Sequence, residues 1–343
     1  MFECKIKDIN TIVLDVVSGK QSKIVDGIDI DFSNVEDSRL RGNDGSSIAK
    51  NINITIKDSG SKEHILQLVN VQQNSLQNIV KLNITLKKNA EISILHCDET
   101  MDETACKTQR NLDIILEENA KLTYFHFDNV NNYSKIEDNI HISQRKNSVF
   151  KPYYFVFNGQ RIERNLVLNL EEINAETSVK GLYLLDKTQK FKNNVQLNHN
   201  VSNCKSKQLF KGILDDSAES EFNGHILVAR NAQKTEAYQS NKNLLLSDKA
   251  KIKTQPFLEI YADDVKCSHG ASTGQLDKEA IFYMRQRGIS EKNAVSLLMF
   301  AFANEITSDI EINSLNLYVQ NLIRRRLNGE DLKCESCRIT QFS

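Results

Sequence analysis

Apolar and polar residues alternate with a period of two along most of the chain, from about residue 10 to residue 266. The alternation is clear in HILQLVNV (64–71), VKLNITLKK (80–88) and NLVLNLEE (165–172). A period of two places successive side chains on opposite faces of a strand, so each segment predicts a β-strand with one buried face. No helical stretch separates these segments, which argues against a sheet built from β-α-β units.

A weak repeat runs through the same region and bears on how the strands stack. A turn residue, then alanine, then a charged residue opens the segments NAEISIL (89–95), NAKLTYF (119–125), NAETSVKGLYL (174–184), SAESEFNGHILV (217–228) and KAKIKTQPFLEI (249–260). A small residue at a recurring corner is typical of a β-solenoid, in which each coil covers the one before. The spacing of the repeat is irregular, so a β-sandwich with many hairpins is the alternative.

Apolar residues recur at helical spacing near the C-terminus. Three helices are predicted there, over residues 277–288, 290–306 and 313–329. Ser290 is expected to cap the second helix, and Gly288 is expected to end the first. Two uses fit such helices: they could cap the open strand edges of the solenoid, or they could present a docking face to another protein.

The division of the chain follows from these two patterns. Because strands precede helices and do not alternate with them, the predicted fold class is mainly β with a small helical part at the C-terminus. The predicted units are N-terminal strands with a polar surface loop at 36–48 (residues 1–52), a β-helix core (53–276) and a C-terminal helical domain (277–343).

Composition and charge narrow the class of protein. The 343 residues carry 44 basic and 45 acidic side chains, so the net charge is -1 and no attraction to nucleic acid or to an anionic membrane is expected. No apolar run approaches the roughly 20 residues that span a bilayer, and the first residues lack the features of a signal peptide. Seven scattered cysteines do not resemble a secreted disulfide framework, so we expect a cytoplasmic protein.

The segment YADDVKCSHGAS (261–272) holds the strongest candidate for chemistry. Cys267 and His269 stand two residues apart, so in a strand both side chains point to the same face. A thiolate and an imidazole can both bind iron, but two ligands do not complete a site, and a second chain would have to supply the rest. In the alternative, Cys267 is a small buried hydrophobic residue and His269 forms a hydrogen bond at a strand end. A nucleophilic Cys–His pair is disfavoured, because no orienting acid or oxyanion donor can be placed beside it.

The remaining cysteines and histidines are interpreted as structural, with Cys106 in a surface loop. They include His96, Cys97, Cys106, His199, Cys204 and His225. The C-x-x-C pair of Cys334 and Cys337 could bind metal or act as a redox pair, but a zinc site needs a second pair and none is nearby. The glycine-rich loop that cradles ATP phosphates is absent as well, so any use of ATP depends on a partner.

The segment from residue 241 to residue 306 resembles a known family. Its sequence, NKNLLLSDKAKIKTQPFLEIYADDVKCSHGASTGQLDKEAIFYMRQRGISEKNAVSLLMFAFANEI, is similar to the C-terminal part of the SufB/SufD family of the Suf iron–sulfur cluster assembly system. The Cys-Ser-His-Gly run favours the SufD branch, because the SufB pattern has a Glu-His pair there. Upstream segments such as SKQLFKGILDD (206–216) extend the resemblance back to about residue 160.

The resemblance implies a right-handed parallel β-helix followed by a helical C-terminal domain. It also implies a non-catalytic scaffold subunit that pairs with a SufB-like paralogue through the β-helix and docks a SufC-like ATPase on the C-terminal helices. Cys267 and His269 match family positions at or near the SufB interface, where the histidine is implicated in cluster assembly. No cofactor is expected in the isolated chain, and iron or an iron–sulfur cluster is expected transiently in the complex. We add the expectation that the chain can pair with itself when the paralogue is missing.

A hypothesis of a different class is a β-helix enzyme that acts on an extended polysaccharide. Such an enzyme needs paired carboxylates, with aromatic platforms for sugars on an exposed face. Aromatic residues make up 7% of the chain, tryptophan is absent, and no paired carboxylate motif stands out. The sequence therefore favours the scaffold.

Overall fold

A computed structural model of the chain describes residues 2–4, 10–15, 20–21, 27–34, 47–57, 64–72, 77–330, 332 and 337–339. Nineteen strands in this part of the chain form two long sheets. A separate antiparallel pair joins β1 (Phe2–Cys4) to β21 (Cys337–Ile339).

The two long sheets have ten and nine strands. The first sheet contains, in spatial order, β20 (Val265–Gly274), β18 (Thr235–Leu245), β16 (Lys205–Leu214), β14 (Glu176–Leu185), β12 (Val149–Asn158), β10 (Lys121–Asn129), β8 (Glu91–Thr100), β6 (His64–Gln72), β2 (Asn10–Asp15) and β3 (Lys20–Gln21). The second sheet contains β19 (Lys251–Ile260), β17 (Glu219–Val228), β15 (Lys190–His199), β13 (Arg161–Leu170), β11 (Lys135–Gln144), β9 (Lys107–Leu116), β7 (Gln77–Leu86), β5 (Ser47–Ile56) and β4 (Ile28–Asn34).

From β5 to β20 consecutive strands alternate between the two sheets, so the chain winds as a solenoid of about seven coils. Each strand from β7 to β18 pairs in parallel with the strands two places before and after it. A sandwich of hairpins would instead pair consecutive strands in antiparallel fashion. The parallel β-helix is therefore confirmed and the β-sandwich alternative is wrong.

The alanines of the sequence repeat lie at corners of the solenoid. Ala90, Ala120 and Ala175 each directly precede a strand of the first sheet and are fully buried. The asparagine before each alanine has a positive φ, which asparagine tolerates better than most residues. These asparagines also stack, and the side-chain amide of Asn119 donates to that of Asn89 at 2.9 Å. The corner sequence therefore turns the chain and links neighbouring coils at the same time.

The irregular spacing of the repeat has a structural cause. Ala218 and Ala250 lie at the corners that lead into the second sheet, whereas the earlier alanines lead into the first. Three other coils place a different small buried residue at the corner of the first sheet, namely Ser148, Cys204 or Thr235. The repeat thus falls on two different corners, and a single period cannot describe it.

The three predicted helices are confirmed as α1 (Lys278–Gln286), α2 (Glu291–Asn304) and α3 (Asn313–Leu327). Ser290 caps α2 as expected, because its side-chain oxygen accepts a hydrogen bond from the backbone N–H of Asn293 at 3.3 Å. Gly288 follows the end of α1 with a φ of 85°, a conformation that favours glycine at a helix C-terminus. Among the described residues, no helix is both long enough and apolar enough to cross a membrane.

Helices α2 and α3 lie along the flank of the solenoid. Met299 and Val319 on these helices share one apolar cluster with Phe125, Phe155 and Leu184, which point outward from the first sheet. The expectation that the helices cap the end of the solenoid is therefore wrong for α2 and α3. The physical reason is that the middle strands of the first sheet carry large apolar residues on their outer face, and the helices cover these.

The polar loop predicted at 36–48 lies almost entirely outside the described residues. Strand β5 begins at Ser47 and pairs in parallel with β7, so the described solenoid extends back into the predicted N-terminal unit.

Candidate functional site at the open end of the solenoid

The end of the solenoid formed by β19 and β20 is open in the described part of the chain. Each of these strands pairs with one neighbour, β17 for β19 and β18 for β20, so their outer edges present backbone donors and acceptors. Ile252, Leu258 and Val265 pack against the core but remain only half-buried. An apolar core that ends without a cover is a natural surface for another molecule.

Strand β20 places Cys267 and His269 on the side of the sheet that faces the lumen. Cys267 is in register with Ala237 and His269 with Gln239, both on β18. Ala237 and Gln239 are 0% and 3% exposed and lie inside the solenoid. Residues in register on parallel strands share a face. The structure therefore places Cys267 and His269 on the same face, at the mouth of the lumen.

The two side chains have different surroundings. Cys267 is half-buried against the apolar core, whereas His269 is exposed. Burial raises the pKa of the Cys267 thiol, and a backbone hydrogen bond with Ala237 opposes part of that rise. A thiol with a raised pKa must lose its proton before it can bind a metal, so ligation at Cys267 would release a proton. The roles of Cys267 and His269 remain predictions.

Polar side chains continue inward from the mouth of the lumen. Gln239, Asn241 and Asn243 on β18 are all buried, and Asn241 donates a hydrogen bond to the hydroxyl of Tyr183 at 3.2 Å. Tyr183 in turn donates to Asn243. Sequence reasoning missed this set, although the amides alternate in YQSNKN (238–243) and alternation places them on one face.

A second group of polar residues, which we call the ionic cluster, lies deep in the same lumen. All its members are at most 1% exposed. They are His96, Asp98, Arg110, His126, Asp128, Asp138 and Arg164. The sequence signal that could have found it is a repeated His-x-Asp, in LHCDET (95–100) and FHFDNV (125–130), because β8 and β10 are adjacent and in register.

Short ion pairs hold the ionic cluster together. Arg110 Nη2 lies 2.9 Å from Asp98 Oδ2 and 2.7 Å from Asp138 Oδ1. Arg164 Nη2 lies 2.6 Å from Asp128 Oδ2. Burial alone would raise the pKa of Asp98, but the charge of Arg110 and a hydrogen bond from His126 hold it well below its usual value. Burial would likewise raise the pKa of Asp138, but the charges of Arg110 and Arg164 lower it. Asp98 and Asp138 are therefore ionised and paired inside the fold.

Some members of the ionic cluster are close enough to act as metal ligands. Two trios have ligand atoms within 4.8 Å of one another: His96, Asp98 and His126, and His126, Asp128 and Asp138. However, the two arginines already occupy the cationic positions beside these carboxylates, and a divalent ion there would meet like-charge repulsion. We therefore interpret the ionic cluster as a structural network.

The other cysteines and histidines are mostly buried. Cys106 lies in the loop before β9, as predicted, but it is only 3% exposed, so its predicted surface position is wrong. His199 Nε2 lies 2.8 Å from Ser206 Oγ, and burial lowers the pKa of His199 to about 4. Cys334 lies outside the described residues, and Cys337 is part of β21.

The helices also leave apolar side chains exposed. Helix α1 buries none of its residues, and Phe282 and Tyr283 on it are 63% and 58% exposed. Leu297 on α2 is 49% exposed. Neighbouring exposed apolar residues on one part of a surface mark a docking face.

The class of protein that the fold and site define is a parallel β-solenoid with one uncovered end and with a cysteine and a histidine at the mouth of its lumen. This chain belongs to the family of the SUF system for FeS cluster assembly that shares the SufBD core domain. The family model matches residues 67–302, about two thirds of the chain. The sequence motif around Cys267 and His269 predicted membership of this family, and the prediction is confirmed.

The chain is similar to several curated relatives. It is 39% identical to the iron–sulfur cluster assembly protein SufD of Escherichia coli over 175 residues, which are 51% of this chain and 41% of the relative. It is 36% identical to an iron–sulfur cluster assembly SufBD family protein of Synechocystis over 197 residues, 57% of this chain and 41% of the relative. SufD of Bacillus subtilis is 33% identical over 116 residues, 34% of this chain and 26% of that protein. The chain thus spans less than half the length of the relatives it matches.

Proposed function

We propose that this chain is a scaffold subunit of an iron–sulfur cluster assembly complex and has no catalytic activity alone. It pairs with a SufB-like paralogue through the open end of the solenoid, and iron or a nascent cluster is the cargo at that interface. One observation carries the proposal: the free edges of β19 and β20, the half-buried end of the core, and Cys267 with His269 all lie at the same end. Membership of the SufBD core family supports it.

The open end suits a solenoid partner. The strands β19 and β20 have ten residues each, and about half of a strand's residues direct their backbone groups to a given side, so each edge offers about five. Phe257, Ile260 and Tyr261 nearby are 58%, 40% and 55% exposed. A partner that extends both sheets would pair these edges and cover the apolar residues.

A second copy of this chain could use the same edges when the paralogue is missing. The chain is then a dimer in solution. Light scattering across micromolar concentrations tests this, and a strictly monomeric mass would contradict it.

Cys267 and His269 supply one sulfur and one nitrogen donor, which suit iron. Because a tetrahedral site needs four ligands, this chain leaves the coordination incomplete and the paralogue supplies the rest. The site therefore forms only when the two subunits meet, and the isolated chain holds no resident metal.

The decisive experiment is co-expression with the SufB-like and SufC-like proteins of the same source, with purification without oxygen through a tag on this chain. Wild type should retain both partners, iron and sulfide, whereas His269→Ala should retain the partners and lose iron. His141→Ala, at an exposed histidine on β11, is the matched control and should behave as wild type. Equal iron contents in wild type and His269→Ala would show that His269 does not bind the iron. If wild type retains neither partner, the chain is not a scaffold subunit of this complex.

The SufC-like ATPase docks on the C-terminal helices, and α1 offers the best face for it. Phe282 and Tyr283 are exposed and make an apolar surface of the kind that carries binding energy in an interface. Phe282→Ser should lower the amount of ATPase retained by about tenfold, which is about the effect of losing one aromatic anchor. Ile173→Ser, at a residue that is 40% exposed on the solenoid, is the matched control. Equal loss of ATPase in both variants would contradict this docking face.

The polysaccharide enzyme is less well supported. A groove of about 820 Å³ on the outer face of the second sheet is lined mainly by amide and apolar side chains, with His225 and Phe257. Its lining includes no carboxylate, whereas cleavage of a glycosidic bond needs a pair of them.

A further inference from the structure

Three residues form one row along the lumen of the solenoid, and the row leads to His269. Gln208 on β16 is in register with Gln239 on β18, which is in register with His269 on β20. Gln208 and Gln239 are 1% and 3% exposed, so both amides lie inside the fold. We call these three residues the amide row.

Hydrogen bonding along the amide row has a direction. Gln239 Nε2 donates to Gln208 Oε1 at 3.1 Å, toward the interior. Gln239 Oε1 is buried and has no hydrogen-bond partner. In a stack of amides in register, each amide donates to one neighbour and accepts from the other. The neighbour on the accepting side of Gln239 is His269.

The Gln239 amide has a defined place in the lumen. Gly224 on β17 faces it from the opposite sheet, and a Cβ at Gly224 would lie 2.3 Å from Gln239 Nε2. A larger residue at Gly224 would therefore displace the Gln239 amide from this position. An amide confined in this way can hold a neighbouring ring in one orientation.

We propose that Gln239 is the positioning residue of His269: its Oε1 accepts the N–H of the imidazole, which fixes the tautomer and directs the other ring nitrogen toward the space beside Cys267. Adjacent strands lie about 4.8 Å apart, so one rotation of the exposed His269 side chain brings the ring to the amide. A ligating histidine usually donates its second ring nitrogen to such an acceptor. The inference rests on the proposed function for the identity of the cargo, but the hydrogen bond does not depend on it.

A carboxamide suits this role because it is neutral. It accepts the N–H of a neutral imidazole without the charge that would favour the imidazolium. The other ring nitrogen of that tautomer carries a lone pair and can bind iron.

The first test is nitrogen NMR of the intact chain labelled with ¹⁵N-histidine. In Gln239→Met the two ring-nitrogen shifts of His269 should move toward those of a free imidazole in water. Gln144→Met, at a fully buried glutamine on β11, is the matched control and should leave the shifts unchanged. Identical His269 shifts in wild type and Gln239→Met would overturn the proposal.

The second test measures iron in the complex purified without oxygen. Gln239→Met should lower iron per complex by about tenfold, because a residue that hydrogen-bonds to a metal ligand typically contributes a factor of about 10 or more to metal affinity. The double variant Gln239→Met, His269→Ala should hold as much iron per complex as His269→Ala alone, because Gln239 acts through His269. An additive loss would overturn the proposal. If His269→Ala retains iron while the NMR shifts respond to Gln239→Met, the proposed function fails at His269 and the positioning role stands.

Discussion

Replacing Arg110 with methionine tests how much the ionic cluster contributes to stability. Arg110 is 1% exposed and contacts both Asp98 and Asp138. Methionine fills similar space but leaves two buried carboxylates with fewer partners. Removing one partner of a buried ion pair costs about 3–5 kcal/mol, against about 5–15 kcal/mol of total stability for a typical domain. Asp138 keeps Arg164 and Asp98 keeps His126, so we expect a loss near the lower end of that range.

The sign of the pH dependence provides a second check on Arg110→Met. In wild type the pKa of Asp98 is depressed, so its contribution to stability is present above its unfolded pKa of about 4 and is lost as the pH falls through the folded value. Without Arg110, burial prevails and the pKa of Asp98 rises. In the variant, protonation of Asp98 then removes a buried charge that lacks its arginine partner. The difference in free energy of unfolding between wild type and Arg110→Met should therefore become smaller as the pH falls from about 7 to about 5.

Urea unfolding followed by circular dichroism at the two pH values measures both effects. Arg161→Met is the matched control, because Arg161 lies on the outer face of the same sheet at the start of β13, has a side chain that is 57% exposed, and pairs, among the described residues, only with Glu163 at 3.3 Å. The free energy of unfolding of Arg161→Met should lie within about 0.5 kcal/mol of the wild-type value. The reasoning is refuted if Arg110→Met is no less stable than Arg161→Met, or if its deficit grows on acidification.

Three further predictions concern other parts of the fold. Lys211→Met should weaken the packing of the helices on the first sheet, because Lys211 Nζ donates to the backbone oxygen of Phe302 at 2.8 Å and pairs with Glu305. We expect faster amide hydrogen exchange in α2 and a decrease of about 1–3 kcal/mol in the free energy of unfolding. Asn119→Ala should lower stability by about 1–2 kcal/mol, because its φ of 59° is strained for alanine; Asn119→Gly should cost less, and equal melting temperatures for the two variants would count against a conformational origin. Phe257→Lys should abolish retention of the paralogue while the melting temperature stays within a few degrees of wild type, because Phe257 is exposed beside the open edge; an intact complex would exclude this surface from the interface.

Much of the fold was predictable because its signals are local. Period-two alternation reports which residues face the core in β13 or β17, and the structure has the same alternation of burial. The capping hydroxyl of Ser290 and the glycine after α1 likewise act within a few residues. The position of the helices was not predictable in this way, because it depends on Phe125, Phe155 and Leu184 meeting on one outer face after the coils have stacked.

The candidate site was predictable in part for the same reason. Spacing of two residues places Cys267 and His269 on one face, but it does not say whether that face is the lumen or the outside. That was decided by the register of β20 on β18, which sets His269 against Gln239. The orphaned oxygen of Gln239 and the fit against Gly224 depend on three strands from two sheets.

The sequence by itself determined the strands, the three helices, the family and the pair Cys267 and His269, because backbone geometry and neighbouring residues set these features. Only the tertiary structure decided that β19 and β20 leave the end of the solenoid open, that the helices cover a flank, and that Arg110 joins Asp98 to Asp138. The physical reason is that side chains from different coils become neighbours only through the register between strands, and that register is set by the corners of every coil together.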